Sequence, residues 1–273
     1  MGDCARDAGP FQEVIGLVPA AGIGKRISPL PCSKEVYPVG FRQIDEEGTV
    51  SSKVVSHYLL EKMRLAGANK AFIVLRDGKW DIPKYFGDGS MLDMNLAYLM
   101  MGQPYGAPYT ADQAYPFLQS SLVAFGFPDI LFGPDDAYCH LLKRQMATHA
   151  DIVLGVFSAD RPDTMDMVDL DQDGRVRSLV IKPPRTTLRY AWILAVWTPV
   201  FTQYQHEFLQ KHLRAVDSSR EAQQEELSVG QVIQAAIHDG VRGQAVVFPD
   251  HEYLDIGTPG NLFKAVEQST KHL

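Results

Sequence analysis

An apolar run that leads directly into a turn of small residues restricts the fold of this chain more than any other feature. The run is Val14–Pro19 (VIGLVP) and the turn is Ala20–Arg26 (AAGIGKR). A short, uncharged run of this kind is typical of a strand that is buried on both faces of a parallel sheet. Glycine and alanine in the following turn leave backbone N–H groups open to a phosphate chain.

Strand and helix patterns alternate in the first part of the chain. Because uncharged strands that alternate with helices are typical of a parallel sheet covered on both faces, we expect ligands to bind beyond the carboxyl ends of the strands. Those ends are followed by the loops after Pro19, Phe125, Ile181 and Leu254. The predicted elements are a helix at Lys53–Ala66, strands at Ala71–Leu75 and Leu122–Phe125, a helix at Asp135–His149 and a strand at Ile152–Phe157.

The pattern then changes to a predicted hairpin. Strand patterns at Met167–Leu170 and Arg175–Ile181 flank the turn Asp171–Gly174 (DQDG). The spacing of Trp192 and Trp197 predicts packing on both faces of one strand. The remaining predicted elements are a strand at Tyr190–Trp197, a loop or exposed helix end at 212–226, a helix at Val229–His238, a strand at Ala245–Phe248 and a helix at Pro259–Glu267.

These patterns together predict an α/β fold. We expect a Rossmann-like mixed, mostly parallel sheet, flanked by helices, with a small antiparallel insertion. Residues 13–273 are expected to form a single domain after a flexible start at residues 1–12.

The charge and the cysteine content narrow the class of protein. The chain has 273 residues, a net charge of −7 and a pI near 5.6, which argue against binding nucleic acid through a broad basic surface. Three scattered cysteines form no disulfide or zinc pattern, and no run approaches the roughly 18 apolar residues of a membrane span. We therefore expect a cytoplasmic protein without a nucleic-acid or membrane partner.

Two cations accompany the small-residue turn. Arg26 can bind phosphate oxygens through both arms of its guanidinium, and Lys34 follows eight residues later. The turn lacks both the GxxxxGK[ST] pattern of a P-loop and the GxGxxG pattern of a dinucleotide-binding fold, which disfavours an NAD oxidoreductase. Taken alone, the turn fits a tight strand-to-helix connection with solvated cations as well as it fits a phosphate site.

A series of motifs extends over nearly the whole chain. In order they are Pro19–Arg26, Ser33–Gly40 (SKEVYPVG), Gly87–Ser90, Gln103-Pro104, an acidic segment after 122–125, Lys182-Pro183 and Leu254–Pro259. Their order and spacing resemble those of sugar-nucleotide pyrophosphorylases, such as glucose-1-phosphate thymidylyl- and uridylyltransferases. The resemblance implies a GT-A-like nucleotidyltransferase fold. It also implies a reaction in which an NTP, most often dTTP or UTP, is coupled to a sugar 1-phosphate and pyrophosphate is released. Members of the resembled family often form homo-oligomers.

The resemblance further implies which residues bind the substrates. The NTP phosphates would be held by Arg26 and Lys34, and the acceptor phosphate by Lys182, so these three residues form the predicted catalytic set. Gln103 would contact the nucleobase. The full set of predicted nucleotide-binding residues is Ala20, Ala21, Gly22, Gly24 and Gln103.

The resemblance implies a magnesium cofactor as well. Asp129 and Asp255 would hold the Mg²⁺ ion, which prefers one or two carboxylates together with substrate phosphates and water. The family usually has Gly-Asp where this chain inserts Phe127-Pro128 before Asp129. For that reason Asp135 and Asp136 remain alternatives to Asp129.

The chain departs from the family pattern near the acceptor. Ile181 replaces the glutamate of the usual Glu-Lys-Pro motif, and Ile193-Leu194 replaces the usual Thr-Gly. A bulky Leu194 predicts a smaller or more apolar acceptor. The spacing from Arg26 to Lys34 is also shorter than usual, and residues 104–114 lack the usual Gly-Leu-Ala match.

Two alternatives remain open, and the changed acceptor residues favour the first of them. The first is a nucleotidyltransferase of the same fold that acts on a non-sugar phosphate. The second is a non-catalytic module that binds nucleotides or sugar nucleotides.

Overall fold

The computed structural model describes residues 13–102, 105–218 and 226–270. The predicted flexible start, residues 1–12, lies outside these ranges. The strands are β1 (Val14–Pro19), β2 (Pro38–Gln43), β3 (Val50–Val54), β4 (Lys70–Arg76), β5 (Asn95–Met101), β6 (Leu122–Gly126), β7 (Ile130–Phe132), β8 (Ile152–Ser158), β9 (Asp166–Leu170), β10 (Val176–Ile181), β11 (Tyr190–Trp197), β12 (Gly243–Phe248) and β13 (Tyr253–Asp255). The α-helices are α1 (Val55–Leu65), α2 (Asp81–Phe86), α3 (Ala107–Asp112), α4 (Tyr115–Leu118), α5 (Ala137–Thr148), α6 (Pro199–Ser218), α7 (Val229–His238) and α8 (Pro259–Thr270). Short 3₁₀ turns lie at Lys34–Val36, Ser90–Leu92 and Pro162–Thr164.

A nine-stranded mixed sheet forms the centre of the fold. Its order is β10-β9-β11-β6-β1-β4-β5, with β8 beside β11 and β12 beside β8. Strand β11 runs antiparallel to β6, β8 and β9, and β10 runs antiparallel to β9, so the remaining seven strands share one direction. The predicted Rossmann-like, mostly parallel sheet with a small antiparallel part is confirmed.

The sheet separates two apolar cores. Val14 and Val18 of β1 face the core that includes Leu59 of α1, whereas Ile15 and Leu17 face the core on the other side of the sheet. Because side chains alternate between the faces of a strand, a strand with a core on each side is apolar at nearly every position. This double burial explains the VIGLVP run.

The observed elements correct the sequence predictions at several points. Helix α1 begins at Val55 rather than Lys53, because the preceding residues pair as β3 with β2. Residues 212–218, expected to be part of a loop or an exposed helix end, form the end of α6, which continues to Ser218, and residues 219–225 lie outside the described ranges. In the described part of the chain, no helix is long and apolar enough to cross a membrane.

A bulge in β11 changes which way its tryptophans point. The pairing of β11 with β8 shifts register between Trp192 and Leu194. As a result both Trp192 and Trp197 pack near Phe125 in the same core, with ring centroids 6.3 and 5.0 Å from the Phe125 ring. The expectation that they pack on opposite faces is wrong, because the bulge inserts one extra residue between them. The extra residue turns Trp197 to the same face as Trp192.

The hairpin of β9 and β10 extends the sheet beyond the end of β6. Strand β6 pairs with β11 from Leu194 onward, while β9 pairs with Tyr190 and Ala191 on the same edge of β11. The hairpin turn is closed by Asp171, whose side chain accepts hydrogen bonds from the backbone N–H groups of Asp173 and Arg175. This position places the end of β10 beside the carboxyl end of β6.

Candidate active site

A pocket of about 350 Å³ lies at the carboxyl ends of β1, β6, β10 and β13. It contains Arg26, Lys34 and Lys182, the three predicted catalytic residues, together with both predicted metal ligands, Asp129 and Asp255. The other residues that line it are Pro19, Ala21, Gly22, Glu35, Gly106, Ala107, Thr110, Phe127, Ile130 and Glu226.

The small-residue turn forms one wall of this pocket. Ala20 is buried and donates its backbone N–H to the carbonyl of Val74, so it extends the pairing of β1 rather than facing the pocket. Gly22 is exposed and lines the pocket. Gly24 has a φ of +68°, a conformation that residues with a Cβ rarely adopt, and its carbonyl accepts hydrogen bonds from the N–H groups of Ile27 and Ser28. The predicted base contact, Gln103, lies outside the described residues.

Lys34 and Asp129 form an ion pair inside the pocket. The Lys34 Nζ donates to Asp129 Oδ2 at 2.5 Å, and the two side chains are 16% and 12% exposed. Burial favours a lower pKa for Lys34, but attraction to Asp129, the hydrogen bond between them and the nearby Glu35 and Asp255 together raise the pKa of Lys34 above its ordinary value. Lys34 is therefore fully charged at neutral pH.

Glu35 is a pocket residue to which the sequence motifs gave no role. It is 1% exposed and accepts a hydrogen bond of 2.6 Å from the Nζ of Lys79, which is itself buried. Burial raises the pKa of Glu35 above its ordinary value, although attraction to Lys79 and Lys34 opposes that rise. The sequence offered one signal for Glu35, which is its position directly after Lys34. The residue that follows a pocket lysine in a 3₁₀ turn lies close to the same site.

Asp255 is held next to Asp129 by strand pairing. Strand β13 is antiparallel to β7, with Asp255 opposite Ile130, and the N–H of Ile256 donates to the carbonyl of Asp129 at 3.0 Å. The Asp255 carboxylate accepts the N–H of Gly257 at 2.7 Å and lies 3.3 Å from the guanidinium of Arg26. Two segments that are distant in sequence thus bring both aspartates to one pocket.

The two aspartates suit a divalent cation that arrives with a phosphate ligand. Among the residues that the structure describes, no cluster of three or more His, Cys, Asp or Glu side chains could bind a metal by itself. A pair of carboxylates fits Mg²⁺, which takes its other ligands from water and substrate phosphates. The alternatives are less suitable: Asp135 pairs with Lys62 in a different pocket, and Asp136 lies beside His140.

Lys182 enters the pocket from the end of β10 with an unusual backbone. Its φ is +42°, and its N–H donates to the carbonyl of Met165 at 3.1 Å. Left-handed backbone at a residue other than glycine is strained, and such strain is frequent at functional sites.

The substitutions at 193 and 194 do not alter this pocket. Leu194 is 0% exposed and packs against Gly155, and Ile193 is also buried. The expectation that Leu194 limits the size of the acceptor is wrong, because its side chain faces the core.

Comparisons with known proteins identify the family of this chain. The sequence profile described as "Nucleotidyl transferase" matches residues 15–272. The chain therefore belongs to the nucleotidyl transferase family, whose members are enzymes.

Its curated relatives include two enzymes named glucose-1-phosphate thymidylyltransferase. The one from Actinoplanes sp. is 26% identical over 92% of this chain and 77% of its own length. The one from Streptomyces antibioticus is 25% identical over 91% of this chain and 64% of its own length, so this chain spans less than two thirds of that relative.

Solved structures that share this fold include the following two. A putative glucose-1-phosphate thymidylyltransferase from Bacillus anthracis, in complex with sucrose, superposes with a TM-score of 0.74 at 15% identity, covering 94% of each chain. The inositol-1-phosphate CTP transferase from T. maritima has a TM-score of 0.66 at 17% identity, covering 97% of this chain and 98% of that one. At these identities the likeness concerns the fold.

Proposed function

We propose that this protein couples an NTP to a phosphorylated acceptor and releases pyrophosphate in a Mg²⁺-dependent reaction. A sugar 1-phosphate is the first candidate acceptor, and dTTP or UTP the first candidate nucleotide. One observation carries the proposal: Arg26, Lys34, Lys182, Asp129 and Asp255 converge on a single pocket at the ends of four strands.

The chemistry requires positioning and charge rather than a covalent intermediate. A phosphate monoester is largely a dianion at pH 7, so an acceptor oxygen can attack the α-phosphorus without a general base. The new bond joins that oxygen to the α-phosphorus, the bond from the α-phosphorus to the bridging oxygen breaks, and pyrophosphate leaves with the electron pair. Holding the two phosphates in line supplies much of the rate.

The cations of the pocket have separate tasks in this proposal. The turn around Gly22 presents backbone N–H groups to the triphosphate, and Arg26 and Lys34 neutralise the charge that develops on pyrophosphate. Lys182 binds the acceptor phosphate from the end of β10. The proposed base contact at Gln103 remains a prediction from the sequence.

Asp129 and Asp255 would hold the Mg²⁺ ion. When bound, the ion would neutralise phosphate charge and orient the α-phosphate. Both carboxylates already face cations, Lys34 and Arg26 respectively. An incoming triphosphate would compete with the carboxylates for these side chains and leave both aspartates available to the metal.

A non-sugar phosphate is the second candidate acceptor. The fold similarity to an enzyme named for inositol 1-phosphate supports a test of cyclic polyol phosphates beside sugar phosphates. A non-catalytic binding module is less well supported, because pure nucleotide binding does not require two carboxylates in the phosphate pocket.

The test is pyrophosphate release from a matrix of NTPs and acceptors with Mg²⁺. The acceptors are glucose 1-phosphate, inositol 1-phosphate and phosphocholine, and the enzymes are wild type, Asp129→Asn, Asp255→Asn and the control Asp135→Asn. We expect release with one NTP–acceptor pair, loss of at least about 100-fold in the first two variants and little change in the control. Binding of NTP without release for every pair would refute catalysis and favour a binding module.

A further inference from the structure

The chain that precedes Lys34 does not hold this lysine in place. Within the described part of the chain, residues 29–32 make no hydrogen bond between backbone groups. Ser33 directly precedes the 3₁₀ turn Lys34–Val36, yet its side chain makes no capping bond to that turn. The side chain of Lys34 nevertheless reaches Asp129 across the pocket. The backbone of Lys34 must therefore be positioned by contacts with other elements.

The start of α2 and the turn before it supply those contacts. Asp81, the first residue of α2, accepts two hydrogen bonds from Ser33, one of 2.6 Å from its backbone N–H and one of 2.7 Å from its hydroxyl. On the other side of Lys34, the Nζ of Lys79 donates to the carboxylate of Glu35 at 2.6 Å. Both sequence neighbours of Lys34 are thus fixed by side chains from one short segment.

The two contacts contribute differently to the site. Lys79 and Glu35 are both buried, so the loss of either one would leave a buried charge without its partner. Asp81 and Ser33 are only partly buried, and water can replace their hydrogen bonds at a modest cost. Both oxygens of the Asp81 carboxylate bind the same residue, and a contact at two points adds geometric specificity to its binding energy. The contact between Asp81 and Ser33 therefore favours orientation over stability.

Packing alone does not fix this segment either. A cavity of about 430 Å³ lies beside the contact, and Ser33, Lys34 and Asp81 are among the residues that line it. Because this space is open, the backbone at Ser33 could move into it once the bonds to Asp81 are lost. Lys34 would move with Ser33, since the two are adjacent in the chain.

We propose that Asp81 is a positioning residue for Lys34: it fixes the backbone at Ser33 and thereby the direction in which Lys34 enters the pocket. This inference rests on the proposed function, in which Lys34 neutralises the charge that develops on pyrophosphate. Asp81 does not line that pocket, so it acts on the substrates through Lys34. A displacement of about 1 Å caused by a mutation outside the site can lower a rate by about 100-fold.

A double-mutant cycle between Asp81 and Lys34 tests this role. Pyrophosphate release is measured with the NTP–acceptor pair that wild type prefers, well below the melting temperature of every variant. Asp81→Ala should lower kcat by about 10- to 100-fold in the wild-type background. In the Lys34→Met background the same change should lower kcat by less than about twofold, because the residue through which Asp81 acts is absent. Equal losses in the two backgrounds would overturn the proposal, since a purely structural defect reduces the active fraction of either protein alike.

A conservative variant separates the hydrogen bonds of Asp81 from its charge. In Asp81→Asn the side-chain oxygen can accept the N–H of Ser33, and the side-chain NH₂ can donate to the Ser33 hydroxyl. We therefore expect kcat of Asp81→Asn to stay within about threefold of wild type. A loss as large as that of Asp81→Ala would show that the charge acts rather than the attachment of Ser33, and would refute the positioning role.

Two further variants complete the test. Ser33→Ala removes one of the two hydrogen bonds and provides a milder substitution if Asp81→Ala does not fold. It should lower kcat by about fivefold in wild type, the value of one hydrogen bond, and by less than twofold in Lys34→Met; equal losses would again refute the proposal. Asp77→Ala changes an exposed aspartate in the turn before α2 and should leave kcat unchanged.

Failure of the proposed function has a different signature. Absence of pyrophosphate release by wild type with every NTP and acceptor refutes that function. The positioning role is then read from the dissociation constant for UTP with Mg²⁺, measured by calorimetry. Asp81→Ala should weaken UTP binding in wild type and leave it unchanged in Lys34→Met, whereas equal weakening in both backgrounds refutes the role of Asp81.

Discussion

The Nζ atom of Lys34 lies 2.5 Å from Oδ2 of Asp129, and this contact joins the 3₁₀ turn that follows the small-residue turn to the residue that precedes β7. Both side chains are largely buried, so neither can lose its partner without leaving a charge in a poorly solvated place. The contact also determines the local charge that a triphosphate and a metal ion would meet in the pocket.

Lys34→Met should therefore affect both stability and activity. We expect the free energy of unfolding to fall by about 2 kcal/mol, because Asp129 is left buried without its donor. Pyrophosphate release should fall by about 100-fold or more, because charge on the leaving group is no longer neutralised. Urea unfolding and a coupled pyrophosphate assay measure the two effects. Lys25→Met removes an exposed cation from the preceding small-residue turn and should change neither; equal losses in both variants would show that only the general positive charge of this region matters.

Gly22 and Gly24 offer a matched pair of substitutions in the small-residue turn. Gly24→Ala should lower the free energy of unfolding by about 1 kcal/mol, because its φ of +68° is strained for alanine. Gly22→Ala meets no atom closer than 3.9 Å and should leave stability unchanged, yet its methyl group faces the pocket and should raise the KM for NTP. Thermal unfolding and nucleotide titrations distinguish them. An unchanged KM in Gly22→Ala would place the triphosphate elsewhere.

The buried Glu35–Lys79 pair predicts strong coupling between two residues. Glu35→Gln or Lys79→Met alone should each cost about 3 kcal/mol in unfolding free energy, because each leaves the other side chain buried without its partner. The double variant should lose less than the sum of the two. A double-mutant cycle by urea denaturation measures the coupling. Additive losses would mean that the two charges do not depend on each other.

Burial of Asp166, the first residue of β9, raises the pKa of its carboxyl above the ordinary value and gives a prediction for pH dependence. The folded state binds this proton more tightly than the unfolded state, whose pKa is near the ordinary 3.8, so the charged carboxylate lowers stability as pH rises. Asp166→Asn should therefore be more stable than wild type above the folded pKa, and the advantage should shrink as pH falls through that value and disappear below about 3.8. Melting temperatures between pH 4 and pH 8 test the sign. An advantage that grows toward acid would contradict it.

Local patterns were sufficient to predict much of the fold. The β1 run, the Tyr190–Trp197 strand and the Val229–His238 helix match the observed bounds, because each is a strongly apolar or periodic segment with a clear end. The bulge in β11 could not be predicted, since it arises from pairing with β8, and pairing between distant strands leaves no local signal.

The candidate site was likewise predictable where local motifs identify its residues and not where tertiary packing decides. Motif order identified Arg26, Lys34, Lys182 and the two aspartates, all of which line one pocket. Glu35 was missed because no motif assigns it a role, and only the fold shows that it lines the pocket beside Lys34. The expected effect of Leu194 on the acceptor was wrong, because only tertiary packing decides that its side chain faces the core.

The salt bridge between Arg26 and Asp255 joins residues 229 positions apart in the chain. Strand β13, which supplies Asp255, is followed within the described residues only by α8. During synthesis the small-residue turn that carries Arg26 therefore emerges from the ribosome well before the strand that supplies Asp255. A nascent or prematurely terminated chain can possess the loop that would attract nucleotides without the residue that would hold the metal, so productive turnover would begin only once translation has passed β13.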